Sequence, residues 1–304
     1  MLLFYFVYKS IIYHIISEEF LLKLNIPGLK YLNYKQGQIA YRELGAGPTL
    51  FLLHGMNGHS KSWANLFYSL NSCFRIIAWD APSFGASDVF GDSIEEYKSA
   101  AKAVINNLKL KNIILIGHSM GGLIATQLAS DKNLSVSGLI LSSTHLGFGC
   151  PKGNALMARY ANRLEKFSSK FSDIEYATER AQRNTPENTS ETVIKFLANI
   201  ALGIRAESIR DGGRMSQETD NTYICKKLNL PVLVLSGGKD TVISTEMHTS
   251  LLAALPRGVS EVVFPKAGHA SYAEYPEQFN FQVTEFAKKV WNLNGAALNR
   301  NKIN

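Results

Sequence analysis

Cysteine is scarce in this chain, and its spacing excludes two common structural roles. Three cysteines occur among 304 residues, at Cys73, Cys150 and Cys225. Positions so far apart match neither the close pairs that bind zinc nor the framework of a disulfide-stapled domain. We therefore expect no metal and no cofactor, and we expect a reducing, cytoplasmic location.

Long apolar segments are also scarce, and the one at the start of the chain is short. Residues 1–16 are apolar and aromatic, but Lys9 and His14 interrupt them, whereas a membrane-spanning helix needs about 20 apolar residues. The segment has neither a basic leader nor a small-residue cleavage site, so a secretory signal is not expected. Residues 1–30 are expected to form an N-terminal apolar extension or helix. For residues 1–16 three interpretations stay open: a helix packed on the domain or the cap, an interfacial helix with weak membrane-surface contact, or an extension outside the fold.

A basic stripe of the kind that binds nucleic acid is missing as well. The net charge is +7, but the 32 basic residues are dispersed and are accompanied by 25 acidic ones. No cluster of basic residues has interleaved aromatic side chains. We therefore expect a small-molecule substrate and no nucleic-acid partner, while the oligomeric state stays open.

Apolar runs alternate with helix-like segments along most of the chain. The strand-like runs are residues 38–44, 48–53, 74–79, 112–117, 138–143, 231–236 and 260–264. The helix-like segments near them are residues 61–70, 93–108, 119–130, 244–255 and 276–293. Such alternation predicts an α/β fold with a mainly parallel sheet covered on both faces, formed by residues 31–146 and 230–295.

Residues 147–229 interrupt this alternation with four segments of helical spacing. These segments are residues 155–167, 174–183, 192–202 and 204–215. An insertion between two sheet strands predicts a helical cap that covers the mouth of a site and sets substrate choice. The arginines of this segment are Arg159, Arg163, Arg180, Arg183, Arg205, Arg210 and Arg214. An arginine side chain can bind a planar carboxylate. Most of these arginines are explained by solvated helix faces, so none is assigned to the site. Residues 296–304 are expected to form a polar tail.

Ser119 is the candidate nucleophile. It lies between Gly117 and Gly121, directly after an apolar run and before a helix-like segment. A serine flanked by small residues at a strand-to-helix turn presents its hydroxyl at the apex, where a base and a substrate can reach it. The flanking strand and helix make this short motif more specific than the pattern alone.

Asp240 and His269 are the candidate partners of that serine. A serine hydroxyl needs an imidazole to accept its proton and a carboxylate to orient the imidazole. Asp240 follows the apolar run 231–236, and His269 follows the run 260–264. Asp240 is alternatively a turn residue that caps the next helix, and His269 an ordinary loop histidine. The chain order serine, aspartate, histidine favours the catalytic interpretation.

Backbone amides are the expected donors to a developing oxyanion. Met120 follows the nucleophile and begins a helix, where unpaired N–H groups favour negative charge. Met56 lies in the loop after the run 48–53 and is the second expected donor. The neighbouring His54 is interpreted as a structural turn residue.

These motifs, in this order, resemble the serine-nucleophile α/β-hydrolases of the esterase, enol-lactonase and carbon–carbon-bond hydrolase group. The matching segments are residues 54–55, 79–88, 117–121, Asp240 and 268–272. The resemblance implies an eight-stranded α/β-hydrolase sheet with a helical cap. The chain departs from the family at Ser83, where glycine is usual. We interpret Asp80 and Asp88 in the same segment as turn and hydrogen-bonding residues.

The reaction that this combination predicts is hydrolysis of a small carboxylic ester, lactone or related acyl compound through an acyl-enzyme. Carbon–carbon bond hydrolysis of a diketone acid and acyl transfer remain as enzymatic alternatives. Dehalogenase and epoxide-hydrolase activities are disfavoured, because those relatives have an aspartate at the position of Ser119. A small-molecule receptor on a hydrolase scaffold is the non-catalytic alternative.

Overall fold

This computed structural model describes residues 26–170 and 172–293. Eight strands within these ranges form one sheet. The strands are β1 (Leu29–Tyr34), β2 (Gly37–Leu44), β3 (Thr49–Leu53), β4 (Arg75–Trp79), β5 (Ile113–His118), β6 (Val136–Ser142), β7 (Val232–Gly237) and β8 (Ser260–Phe264). Their order in the sheet is β1-β2-β4-β3-β5-β6-β7-β8. The pairings β1/β2 and β2/β4 are antiparallel, and all later pairings are parallel. The predicted α/β fold is therefore confirmed.

Both faces of the central strands are buried. Along β3, Leu50 and Leu52 pack into the hydrophobic cluster on one face, whereas Phe51 and Leu53 pack into the cluster on the other. Successive side chains of a strand point to opposite faces. A strand that is covered on both faces must therefore be apolar without interruption, which explains why these strands appear as continuous apolar runs in the sequence.

Helices cover the two faces of the sheet, and further helices form the segment between β6 and β7. They are α1 (Ala64–Leu70), α2 (Ile94–Asn107), α3 (Met120–Ala129), α4 (Ala158–Ser168), α5 (Asp173–Arg183), α6 (Glu191–Ala201), α7 (Ala206–Glu218), α8 (Thr222–Lys226), α9 (Thr245–Ala254), α10 (Ser271–Glu274) and α11 (Pro276–Trp291). Helices α1 and α11 contribute to one hydrophobic cluster, and α2, α3 and α9 contribute to the other. None of the described helices is long and apolar enough to cross a bilayer.

Helices α4 to α8 all lie between β6 and β7, and the part that contains α4 to α7 begins and ends at one place. Gly147 and Asp220 form an isolated antiparallel bridge. The Asn221 N–H donates to the Leu146 carbonyl at 2.7 Å. The segment therefore leaves the core after β6 and returns to it at the same place.

Three short elements are absent from the sequence prediction. Strand β1 lies at the edge of the sheet and pairs with β2, with Leu29 opposite Arg42. Helices α8 and α10 contain five and four residues. The interpretations of residues 1–16 lie outside the described residues, as does the polar tail.

Candidate active site

Ser119 stands at the apex of the turn between β5 and α3. Its backbone φ is 50° and its ψ is −118°, a conformation that costs free energy for a residue with a side chain. Hydrogen bonds on both sides hold it. The Ser119 N–H donates to the Ser142 carbonyl at 2.9 Å, and the Ser119 carbonyl accepts from Thr144 Oγ1 at 2.6 Å. The side chain is half-buried and lines a cavity.

Glycines on either side make this turn possible. A Cβ on Gly117 would lie 2.5 Å from the Gly121 carbonyl oxygen, and a Cβ on Gly121 would collide with the Leu53 carbonyl. At this turn the backbone of the strand and that of the helix are therefore in direct contact, with no space for a side chain. This close approach is the physical reason for the small residues that the motif requires.

Asp240 and His269 are brought together by the loops after β7 and β8. His269 Nδ1 lies 2.9 Å from Asp240 Oδ2, and both side chains are almost fully buried. Asp240 Oδ1 accepts from the Val242 and Ile243 N–H groups at 2.8 and 3.0 Å. Burial acts to raise the pKa of Asp240, but the charge of His269 and these hydrogen bonds outweigh it, so the pKa lies below its ordinary value. The carboxylate is thus ionised at neutral pH.

His269 and Ser119 share the wall of the same cavity. Within residues 26–170 and 172–293, the Ser119 hydroxyl is not hydrogen-bonded to the His269 ring. Contacts of this kind often become short only when substrate is bound. The structure therefore places the three predicted side chains at one edge of the sheet and directly pairs two of them.

Glu274 supports the loop that carries His269, and the sequence pattern did not predict this role. Its carboxylate accepts from the Gly268 N–H at 2.9 Å and from the Ala270 N–H at 3.0 Å. Burial raises the pKa of Glu274, although these two hydrogen bonds act in the opposite direction. The backbone on both sides of His269 is consequently fixed by one side chain.

His118 packs against the candidate base and was also missed as a partner. Its ring centroid is 4.8 Å from that of His269 and 4.9 Å from that of Tyr272. Its Nε2 donates to the His269 carbonyl oxygen at 2.8 Å. Burial, and then the charge of His269, lower the pKa of His118 to about 3. His118 is therefore neutral and acts as a wall for the His269 ring.

Met56 and Met120 also line this cavity. Met120 is the first residue of α3, so its N–H lies among the unpaired donors of the helix N-terminus. Met56 follows β3 in the loop that faces the turn at Ser119. Both residues thus line the same cavity as Ser119, and their backbone amides remain the predicted oxyanion donors.

The other polar residues of the neighbouring loops are engaged in structure. His54 accepts from the Ala81 N–H with Nε2 at 2.9 Å and donates to the Gly55 carbonyl with Nδ1 at 2.8 Å. Burial lowers the pKa of His54. The ring is therefore neutral and occupied on both nitrogens, which fits a turn residue and not a second base.

Asp80 and Asp88 bind backbone N–H groups. Asp80 accepts from Ser60 at 2.7 Å and from Ala86 at 2.9 Å. Asp88 accepts from Gln38 at 2.8 Å. These contacts fit the interpretation of both residues as hydrogen-bonding residues of turns.

Ser83, the departure from the family pattern, links the core to α7. Its φ is 70°, in the region that favours glycine. Its hydroxyl donates to Asp211 Oδ2 at 2.6 Å, and its carbonyl accepts from Ser208 Oγ at 2.6 Å. The serine is thus compatible with the turn and adds a buried contact to the helix above it.

Replacing Ser83 should therefore separate backbone strain from this contact. Ser83→Ala removes a donor from the buried Asp211 carboxylate, and we expect a loss of about 1–3 kcal/mol in the free energy of unfolding. Ser83→Gly removes the same donor but relieves the positive φ, which offsets about 1 kcal/mol. Urea unfolding of the two variants should rank glycine above alanine. A glycine variant less stable than the alanine variant would contradict this account.

A cavity of about 310 Å³ lies over Ser119 and His269. Its opposite wall comes from helices α4, α5 and α6. Sequence analysis assigned no cap arginine to the site, yet the structure places Arg159, Arg163, Arg180 and Arg183 in this wall. Among the residues that the structure describes, no group of histidine, cysteine, aspartate and glutamate side chains is arranged to hold a metal ion.

The chain is similar to curated enzymes that hydrolyse esters or carbon–carbon bonds. A curated relative, the pimeloyl-[acyl-carrier protein] methyl ester esterase of Pseudoalteromonas atlantica, is 26% identical over 264 residues, which cover 80% of this chain and 96% of that protein. A 2-hydroxy-6-oxononadienedioate/2-hydroxy-6-oxononatrienedioate hydrolase of Paraburkholderia phymatum is 24% identical, covering 84% of this chain and 94% of that protein.

A solved structure and a family model agree on the fold. The enol-lactonase of Burkholderia xenovorans LB400 superposes with a TM-score of 0.75 at 21% identity, covering 85% of this chain and all of that one. The family model of the α/β hydrolase fold matches residues 48–276. With most of the chain matched and the sheet arranged as described, the protein belongs to the α/β-hydrolase family and is a hydrolase.

Proposed function

We propose that this hydrolase cleaves a small carboxylic ester through a covalent acyl-enzyme. The observation that carries the proposal is the 2.9 Å hydrogen bond between Asp240 and His269 beside a cavity whose wall contains both His269 and Ser119. An ionised carboxylate that orients an imidazole next to a serine at a strained turn is the arrangement that activates a hydroxyl group. Similarity to the methyl ester esterase of Pseudoalteromonas atlantica supports the ester as substrate.

In this proposal Ser119 Oγ attacks the ester carbonyl while His269 Nε2 accepts its proton. The Asp240 carboxylate holds the Nδ1–H of His269 and stabilises the imidazolium. The Met56 and Met120 N–H groups donate to the oxyanion of the tetrahedral intermediate. The intermediate collapses and His269 protonates the departing alcohol. Water then attacks the acyl-enzyme with His269 again as base, which releases the acid and restores Ser119.

Helices α4 to α7 are proposed to act as a cap over this site, within residues 147–229. Support comes from the residues of α4, α5 and α6 that line the cavity opposite Ser119, and from the joined ends of the segment at Gly147 and Asp220. A unit attached at one place can move against the core and select substrates without supplying the reacting groups.

Carbon–carbon bond hydrolysis of a diketone acid is the second candidate, favoured by the similarity to the Paraburkholderia phymatum hydrolase. The two activities share a serine, a histidine and a carboxylate, so the triad cannot separate them. Parallel assays with a methyl ester and with a ring-fission diketone acid can. Turnover of the diketone acid with no ester turnover would favour the second candidate.

A fluorophosphonate probe tests the proposal, because it reacts only with an activated serine hydroxyl. We expect native protein to acquire one adduct per chain, which peptide mass spectrometry should locate at Ser119. Heat-denatured protein and the Ser119→Ala variant are the controls and should stay unlabelled. Absence of an adduct on native protein, or an adduct on a different serine, would overturn the proposal.

A further inference from the structure

Among the residues that the structure describes, the cavity over Ser119 is lined by cations and by no acidic side chain. Five of its described lining residues are basic: Arg159, Arg163, Lys166, Arg180 and Arg183. Its remaining polar groups include asparagines, tyrosines and histidines. The field inside the cavity is consequently positive on the side that faces the nucleophile.

These cations come from two neighbouring helices, each of which turns one face to the cavity. On α4, Arg159, Arg163 and Lys166 are spaced by four and three residues, which places them on one side of a helix. On α5, Arg180 and Arg183 are three residues apart. The positive wall is therefore a feature of helix register and not of scattered surface residues.

Arg163 has only neutral partners in the described chain. Its Nε donates to Tyr176 Oη at 3.1 Å, and its Nη2 donates to Asn57 Oδ1. Burial lowers the pKa of Arg163, and the nearby charge of Arg180 lowers it further, against the opposing effect of Tyr176. A half-buried guanidinium of this kind lacks the counter-charge that buried cations ordinarily have.

One carboxylate, that of Glu179, pairs with cations of this wall. It lies 2.5 Å from Lys166 Nζ and 2.9 Å from Arg180 Nη2. The Nε atom of Arg180 is nevertheless buried and has no hydrogen-bond partner among the described residues. In the same ranges Arg159 and Arg183 form no ion pair, and Arg159 packs on the rings of Phe148 and Tyr160. One acidic group thus faces five basic ones.

We propose that the substrate is itself an anion: a small ester with a carboxylate at the far end of one substituent, held by Arg163 and Arg180 while the ester carbonyl lies at Ser119. The inference rests on the proposed ester hydrolysis and names its substrate class. A guanidinium binds a carboxylate through two parallel hydrogen bonds, so arginine suits this end of the cavity. A cavity of about 310 Å³ fits a small acid, whereas an acidic carrier protein would meet only its rim.

Monomethyl adipate and methyl hexanoate form a matched pair of test substrates, since they have equal chain length and differ at the terminal carboxylate. We expect the wild-type kcat/KM to be about 10- to 100-fold higher for monomethyl adipate, the range for a hydrogen-bonded charge. In Arg163→Gln this ratio should fall by a similar factor. Arg257→Gln is the control because Arg257 is exposed and lies outside the cavity, so both rates and their ratio should be retained.

A second variant, Arg180→Gln, keeps the test valid if Arg163→Gln does not fold, and its ratio should also fall. Equal wild-type kcat/KM for the two esters, or an unchanged ratio in every folded arginine variant, would overturn the proposal. Turnover only of an ester carried on an acidic protein would overturn it in favour of macromolecular recognition.

A binding measurement separates this inference from the proposed function. Calorimetry should show that monomethyl adipate binds Ser119→Ala protein more tightly than methyl hexanoate does, without any turnover. Preferential binding in a wild-type protein that hydrolyses no ester would preserve the anion site and reject ester hydrolysis. Ester hydrolysis with no preference for the anion in either measurement would reject the anion site and leave ester hydrolysis standing.

Discussion

Ser119→Ala should lower kcat for the best ester by a factor on the order of 10⁶, the scale measured when a triad nucleophile is removed from a serine protease. The substitution removes the atom that forms the acyl-enzyme, so only binding and oxyanion stabilisation remain. The folded structure should hardly change. The side chain is half-buried, and the turn is held by backbone hydrogen bonds to Ser142 and Thr144 that alanine keeps.

The measurement needs both kcat at saturating ester and the midpoint of thermal unfolding. Ser143→Ala is a matched control, because Ser143 follows β6 at the same edge of the sheet, and its buried hydroxyl has no hydrogen-bond partner within the described residues. We expect it to retain activity. More than a few per cent residual activity in folded Ser119→Ala protein would remove Ser119 from the role of nucleophile.

The position of the candidate site could be predicted from the sequence, because its residues follow strands that can be recognised along the chain. Ser119, Asp240 and His269 each follow a strand of the parallel part of the sheet, namely β5, β7 and β8. The carboxyl ends of parallel strands lie at one edge, so residues more than a hundred positions apart in the chain are gathered there. The buried apolar runs of β5 and β7 made these two strands easy to recognise.

The elements that sequence analysis missed have weak local signals. Strand β1 lies at the edge of the sheet with most of its side chains at least partly exposed, so it lacks the continuous apolar run of the inner strands. Helices α8 and α10 are shorter than the length at which helical periodicity can be detected. Tertiary packing, and not local preference, forms such short elements.

The side chains that support the site could not be predicted from the sequence for a different reason. Glu274 binds the backbone around His269, and Ser83 binds Asp211 across the boundary between core and cap. Such pairs depend on long-range geometry that no spacing rule encodes. The cap arginines illustrate the same limit, because helical spacing predicts which of them share a face but not whether that face meets solvent or a cavity.

Asp240→Asn should lower kcat by about 10⁴-fold, the loss seen when the orienting carboxylate of a serine protease triad is replaced by an amide. The pKa of Asp240 lies below its ordinary value, so wild-type protein has a full negative charge at the Nδ1–H of His269 throughout the neutral range. An amide removes that charge and can hold the ring in the wrong tautomer. Fluorophosphonate labelling of Ser119 should slow as well, although the hydroxyl is still present.

Asp88→Asn is the matched control for this substitution. Asp88 accepts one backbone hydrogen bond from Gln38 and is not among the residues that line the cavity over Ser119. The substitution should therefore leave turnover and labelling close to wild type. Asp80 provides the critical comparison, since it is a buried carboxylate in the loop after β4. Its two backbone hydrogen bonds predict that Asp80→Asn acts on stability. Suppose instead that Asp80→Asn reduced kcat as much as Asp240→Asn does, while its urea unfolding midpoint matched that of the wild type. Asp240 would then not be the orienting carboxylate.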